Sequence, residues 1–191
     1  MKSILLEILD NYLSFFKDEQ NRQSTLVHFL KNHNNKEIID WNNFDGHVVA
    51  SGFVYAVKEE KFLVLYHNDL HIFLYPGGHI EKMDIDPLHA AKREIEEETG
   101  LKNLKQLGIF SDKLIPIDID THRIKYNKRL NLPEHYHFDF RYLFAVDKIS
   151  DIKIDYEELS NYKWISIEEL KADINYGPIV KKINKILANN K

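Results

Sequence analysis

The 191-residue sequence contains no cysteine. Disulfide bonds, thiolate zinc sites and cysteine nucleophiles are therefore excluded, and a cytoplasmic location is expected because a reducing compartment suits such a chain. Positive charge is also scarce, since 26 lysines and arginines stand against 30 aspartates and glutamates, for a formal net charge of −4. A dedicated nucleic-acid interface needs a basic excess, so we expect no nucleic-acid partner.

Long apolar runs are missing as well. No run approaches the roughly 18 apolar residues of a membrane-spanning helix, so no membrane association is expected. Near the N-terminus, Glu7, Asp10 and Asn11 interrupt the apolar residues, and a signal peptide is not indicated. With 43% hydrophobic and 29% charged residues, the chain is predicted to be soluble, globular and long enough to bury a core.

Two amphipathic helices are predicted at the start of the chain. Apolar residues recur at helical spacing within residues 3–16 and again within residues 24–32. A polar stretch follows them. We interpret residues 1–45 as a helical extension that packs on a domain formed by residues 46–191. A homodimer interface or a substrate lid is the alternative role for this extension.

The remainder of the chain alternates between strand and helix signals. Asp86 and Pro87 predict the start of a helix and Gly100 its end, and later helices are predicted to begin at the Ser166 capping box and at Pro178. Strands are predicted from apolar, β-branched and aromatic runs, the first two of them forming a hairpin: residues 47–57, 61–67, 71–75, around 104–119, and 135–146. This order of elements predicts a mixed β-sheet between helices, an α/β (α+β) architecture.

The helix that begins at Asp86 carries four glutamates in residues 94–98. Glu94, Glu97 and Glu98 are spaced i, i+3, i+4 and so share one face. Carboxylates about 6 Å apart repel by roughly 3 kcal/mol at an effective dielectric of about 20, which makes this face a poor choice for stability alone. It suits a divalent cation such as Mg²⁺ or Mn²⁺, which prefers oxygen ligands. Arg93 could fix a glutamate rotamer, and Gly77 in the preceding glycine loop could offer its carbonyl as a further ligand.

The stretch from Gly77 to Leu101 resembles the Nudix box, G-x5-E-x7-R-E-U-x-E-E-x-G-U, where U is a bulky aliphatic residue. Residues 93–101, REIEEETGL, fit its second half at every position. Fourteen residues separate Gly78 from Arg93, one more than in the box, so the first acid of the box is best matched by Asp84. A weaker resemblance extends over residues 47–172.

The resemblance implies a Nudix-like α/β/α sandwich that hydrolyses the pyrophosphate bond of a nucleoside diphosphate linked to another group. It implies Glu94 and Glu98 as principal metal ligands and Glu97 as a third ligand or as the base that activates water. We count Arg93 among the catalytic residues for its place in the box. The expected partner is a small nucleotide: a nucleoside triphosphate, which we slightly favour, a nucleotide sugar, ADP-ribose or a dinucleoside polyphosphate.

A second polar group lies on the strand predicted at residues 135–146. His135, His137, Asp139 and Arg141 alternate with aromatic residues and so share one face. An ordinary half-exposed strand would show the same pattern. We nevertheless predict Asp139 as a further metal ligand or general base, because some Nudix hydrolases carry an extra acidic ligand downstream of the box. The two histidines and Arg141 are predicted to bind substrate phosphate, as is Arg123.

Other assignments stay open at this point. Asp118, Asp120 and His122 also alternate, and the two stripes could line one cleft. A loop glutamate, Glu157 or Glu158, could replace Asp139 as the base, although surface charge is the simpler explanation for both.

Competing functions are an isoprenoid diphosphate isomerase, a non-catalytic nucleotide-sensing module and RNA decapping. The first is weakened by the lack of cysteine, the second by the retention of all three glutamates, and the third by the lack of a basic patch.

Overall fold

The computed structural model of the protein describes residues 1–108, 115–126, 128, 131–173 and 176–189. Five α-helices are formed by these residues, and none of them combines the length and apolarity that a bilayer crossing requires. Their bounds are α1 Lys2–Phe15, α2 Ser24–Asn32, α3 Pro87–Thr99, α4 Ile167–Ala172 and α5 Gly177–Asn189.

Eight strands from the described residues form one sheet. The central pair, β1 and β7, runs parallel along its whole length, from His47 opposite His137 to Ala56 opposite Val146. Every other strand pairing is antiparallel, so the sheet is mixed, as predicted. The strands are β1 His47–Ala56, β2 Lys61–His67, β3 Ile72–Leu74, β4 Gly77–His79, β5 Lys105–Leu107, β6 Asp118–Ile124, β7 His135–Val146 and β8 Leu159–Ile165.

Helices cover both faces of the sheet. Side chains that alternate along β1 and β7 enter two separate apolar clusters. Val48, Ala50 and Phe140 pack with α1, α2 and α3, whereas Phe53 and Leu143 pack with α4 and α5. The prediction of an α/β/α sandwich is confirmed.

The helical extension shares the first of these clusters with the sheet. Leu5, Leu9 and Leu26, from α1 and α2, are buried in it. An ion pair adds a polar attachment, because the guanidinium of Arg22 donates to both carboxylate oxygens of Asp118 on β6, at 2.9 Å each. Lys182 of α5 reaches the same carboxylate at 2.9 Å. The extension is thus held by apolar packing and by a buried charge.

Most predicted elements agree with the structure to within one or two residues. Two differ. The strand expected around residues 104–119 is represented by β5 and β6 at its two ends, while residues 109–114 lie outside the described part of the chain. Strand β8 was not predicted, because its exposed serine, asparagine and lysine hide the pattern of its buried ends, Leu159 and Ile165.

Candidate active site

Helix α3 presents its glutamates to the glycine loop because both of its ends are fixed by sequence. The Asp86 carboxylate accepts the amide of His89 at the N-terminus, and Gly100 ends the helix in the left-handed conformation (φ 68°) that suits glycine. Ile95 is buried on the opposite side and touches the sheet beside Gly52. The burial of Ile95 and the α-helical period together direct the glutamate face away from the core.

Two of the glutamates contact the backbone of strand β4. The amide of Gly77 donates to Oε2 of Glu98 at 3.0 Å. A Cβ atom on Gly78 would lie 2.7 Å from Oε1 of Glu94, so only glycine leaves room for this carboxylate. The glycine pair therefore brings the backbone and two carboxylates into direct contact.

Arg93 connects the acidic residues to one another. Its guanidinium donates to Glu94 at 3.0 Å, to Glu97 at 2.8 Å and to the carbonyl of His79 at 2.8 Å. The same side chain donates to both oxygens of Asp84, which is buried. Although burial acts to raise it, the hydrogen bonds from Arg93 and from the Glu81 amide hold the pKa of Asp84 below its ordinary value. Arg93 was expected to hold one glutamate and holds two.

These groups line a cleft of about 260 Å³. The loop that precedes β8 closes one side of it, because the amide of Asp155 donates to the carbonyl of Glu98 at 3.3 Å. This loop adds two further carboxylates, those of Asp155 and Glu158. The complete lining is Gly77, Gly78, His79, Glu81, Arg93, Glu94, Glu97, Glu98, Asp155, Glu158 and Leu159.

The cleft carries more negative charge than its own residues neutralise. Burial raises the pKa of Glu94 to about 7, although Arg93 acts to lower it. Burial also raises the pKa of Glu98 to about 8, with the charges of Glu94, Glu158 and Asp155 adding to the effect and the Gly77 amide opposing it. Both shifts indicate buried carboxylates that need more compensating positive charge than the cleft provides, even though Arg93 pairs with Glu94.

A divalent cation would supply that charge. The donor set of the cleft consists of carboxylate and main-chain oxygens, which Mg²⁺ and Mn²⁺ prefer. Arg93 engages only one oxygen of Glu94, and Gly77 engages only one oxygen of Glu98, so each carboxylate has a second oxygen for a cation. The residues present therefore fit the cation that the sequence predicts.

Comparison with known proteins agrees with this geometry. The family model described as NUDIX domain matches residues 45–183. The chain belongs to the Nudix family.

Two related sequences and one crystal structure illustrate this Nudix relationship. A probable DHNTP pyrophosphohydrolase of Lactococcus lactis subsp. cremoris is 32% identical over 131 residues, which cover 69% of this chain and 72% of that protein. An RNA pyrophosphohydrolase of Pelagibacter ubique is 31% identical over 146 residues, 71% and 90% of the two chains. The C. elegans Ap4A hydrolase has a similar fold, with a TM-score of 0.55 at 21% identity over 74% of this chain and 98% of that one. The prediction of a Nudix-type pyrophosphohydrolase is confirmed.

Not every predicted site residue lies at this Nudix cleft. Asp139 does not line it. Its buried carboxylate accepts hydrogen bonds from Ser51 at 2.6 Å, Tyr75 at 2.9 Å and Arg141 at 2.9 Å. Those three donors compete with a metal ion or a water for its oxygens. The geometry therefore gives no support to Asp139 as ligand or base.

The four predicted phosphate-binding residues lie outside the cleft as well. Arg141 is buried and also pairs with Asp120 at 2.8 Å, so its charge is already compensated. Arg123 is exposed and pairs with Glu134. His135 and His137 contact one another within a group of histidines. The two alternating stripes do adjoin, as expected, with Asp120 opposite Asp139 and His122 opposite His137, but ion pairs and imidazoles fill the space between them.

We expect Asp139→Asn to act on stability more than on turnover. The substitution weakens a buried ion pair, and the loss is limited because Arg141 keeps Asp118 and Asp120 as partners. A destabilisation of about 2 kcal/mol corresponds to a fall in Tm of roughly 4–8 °C. Thermal unfolding and kcat at saturating Mg²⁺ measure the two effects. A large loss of kcat at unchanged Tm would instead indicate that Asp139 is a catalytic residue.

Proposed function

We propose that the protein hydrolyses a pyrophosphate bond of a small nucleoside triphosphate or a similar triphosphate in a reaction that requires Mg²⁺ or Mn²⁺. The observation that carries this proposal is the cleft in which Glu94 and Glu98 lie against the glycine pair while their pKa values are raised. Such a site binds a doubly charged cation and, through it, an anionic substrate. The relative named as a DHNTP pyrophosphohydrolase supports the triphosphate class.

Each side chain has a distinct task in this proposal. Glu94 and Glu98 hold the cation, with Glu97 as the third carboxylate on the same face. When bound, the cation neutralises charge on the phosphate oxygens and lowers the pKa of a bound water. Arg93 fixes the rotamers of Glu94 and Glu97, and the amide of Gly77 orients Glu98.

Glu158 is our candidate for the base that takes the proton of the attacking water. It lines the cleft, and its charge is close enough to raise the pKa of Glu98. The amide of Asn68 donates to its carbonyl at 2.9 Å, which fixes the backbone at this position. Glu97 is assigned to the cation in this proposal, as the third carboxylate on the face of Glu94 and Glu98.

A substrate panel tests the proposal. DHNTP, the common nucleoside triphosphates, ADP-ribose, a dinucleoside polyphosphate and a 5′-triphosphorylated RNA oligonucleotide are incubated with Mg²⁺, with Mn²⁺ or with EDTA, and the products are identified. The expected result is release of pyrophosphate or phosphate from a small triphosphate with either metal and none with EDTA. The RNA is included because of the RNA pyrophosphohydrolase among the relatives.

Two outcomes would contradict the proposal. Turnover of the RNA alone would show that the substrate is a nucleic acid. Equal turnover in EDTA would show that the reaction does not require the cation. The cytoplasmic location and a homodimer remain predictions, and gel filtration of the purified protein tests the second of these.

A further inference from the structure

Five histidines gather beside the glutamate cleft, on strands β1, β4, β6 and β7. The ring of His47 lies 4.6–5.0 Å, centroid to centroid, from those of His79, His135 and His137. His122 extends the group, with its ring 5.5 Å from that of His137. The register of the sheet produces this cluster, because β1 and β7 place His47 directly opposite His137 and β6 and β7 place His122 opposite the same residue.

Three of these side chains have the spacing of metal ligands. In His47, His79 and His137, one ring nitrogen per residue lies within 4.8 Å of the other two. The Nε2 atoms of His47 and His79 are 3.1 Å apart. Two imidazole nitrogens bound to one tetrahedral Zn²⁺ at about 2.0–2.1 Å lie about 3.3 Å apart, so this pair already has the required separation. The third nitrogen, that of His137, lies within 4.8 Å of both and would move inward on binding.

Two of these three rings are strongly desolvated. Burial, together with His79 and His135, lowers the pKa of His47 to about 4. Burial and the surrounding histidines lower the pKa of His137 to about 2. Burial and the neighbouring imidazoles therefore disfavour the charged form of both rings.

Neighbouring groups orient the rings next to His137. Nδ1 of His135 lies 2.8 Å from the carbonyl of Pro133, and Nδ1 of His122 lies 2.9 Å from Oδ2 of Asp120. These oxygen partners fix the orientation of two rings that surround His137 but are not among the three with ligand spacing. Nε2 of His135 lies 3.2 Å from Nε2 of His137.

We propose that His47, His79 and His137 form a second metal site, which takes a borderline transition-metal ion such as Zn²⁺ and leaves a fourth coordination position open. Three nitrogen ligands favour such an ion over Mg²⁺, whereas the all-oxygen cleft on α3 has the opposite preference. His79 provides the route of entry because it is exposed and also lines the glutamate cleft. The ion would join β1, β4 and β7 at the border of that cleft.

Cobalt binding to the full-length protein tests the site. Chelator-treated protein is titrated with Co²⁺ in the presence of excess Mg²⁺, which occupies the carboxylates, and then with Zn²⁺. We expect one Co²⁺ per chain with the intense visible absorption of a low-coordinate cobalt ion with nitrogen ligands, and its displacement by Zn²⁺. His79→Ala should weaken Zn²⁺ binding at least about 100-fold. Loss of a residue that only hydrogen-bonds to a metal ligand weakens binding by up to about 100-fold, and loss of a ligand itself should cost at least that much. His28→Ala, which removes an exposed histidine from α2, is the matched control and should leave binding unchanged.

Three outcomes would overturn the proposal: no uptake of Co²⁺ or Zn²⁺ by the native protein, uptake that His79→Ala leaves intact, or uptake that Glu98→Gln abolishes. The last would assign the ion to the carboxylates. If His79→Ala fails to fold, the ring resonances of the native protein decide the question, because Zn²⁺ must shift those of His47, His79 and His137 and leave that of His28 in place. Since binding rather than turnover is measured, the result does not depend on the proposed hydrolysis.

Discussion

Replacement of Glu98 by glutamine is expected to abolish most of the activity and, without metal, to stabilise the protein. Glutamine still accepts the Gly77 amide but provides no charge for a cation. The cation is worth several kcal/mol to the reaction, and each 1.4 kcal/mol is a factor of ten, so kcat should fall at least about 10²–10³-fold. Steady-state rates at saturating Mg²⁺ measure this loss.

The effect on stability follows from the raised pKa of Glu98. This pKa is about 8 in the folded protein against an ordinary value of 4.5. The folded state therefore holds the proton more tightly than the unfolded state, and this contribution to stability is complete below about pH 4.5 and is lost as the pH rises towards 8. Metal-free native protein should lose stability across that window, while Glu98→Gln should not.

At pH 8.5 the gain of the variant is expected to be of the order of 1–2 kcal/mol, or roughly 2–8 °C in Tm. This gain in stability is smaller than the pKa shift of Glu98 alone would give, because water in the open cleft screens the charge. Saturating Mg²⁺ should raise the Tm of the native protein and leave that of the variant unchanged. Glu96→Gln is the matched control, since this glutamate belongs to the same run but does not line the cleft. A fully active Glu98→Gln enzyme would refute the proposed cation site.

The second large effect is expected at Glu158. Glu158→Gln removes the proton acceptor while it retains the size of the side chain and the backbone contact with Asn68. Loss of a general base costs typically about 10²–10⁴-fold in rate, so kcat should fall in that range with little change in KM. The logarithm of the residual rate should also rise with pH as hydroxide replaces the missing base.

The adjacent residue supplies the comparison. Glu157 is also an exposed glutamate of this loop, but it does not line the cleft. Glu157→Gln should therefore retain native kcat. If both substitutions reduce kcat equally, the loop acts through its general charge, and if neither does, Glu97 becomes the leading candidate for the base.

Local patterns were sufficient to predict helix α3 and its functional face. Asp86, Pro87 and Gly100 set its ends, and the i, i+3, i+4 spacing of the glutamates sets their common direction, because both depend on backbone geometry within one or two turns. Strand alternation was equally reliable for β7, where His135, His137, Asp139 and Arg141 do share a face. These features could be read without any knowledge of distant residues.

The same alternation could not say what the polar face of β7 meets. Asp139 was predicted to be catalytic, yet Tyr75 and Ser51, which are distant in sequence, take up its hydrogen-bonding capacity. Glu158 was predicted only as an alternative to Asp139, with surface charge as the simpler explanation, because nothing in a polar loop indicates that the backbone of Asp155 is bonded to the end of α3. His47 and His79 gave no local signal at all.

The sequence by itself determined the family, the acidic helix and the layered α/β/α arrangement, since these depend on periodicity, capping and a contiguous motif. Only the tertiary structure decided which charged groups remain available to a substrate and which neutralise one another. The physical reason is that the spacing of charged residues along the sequence is the same whether their side chains face a cation, a counter-charge or water. Its partner, often dozens of residues away, is chosen when the sheet is assembled.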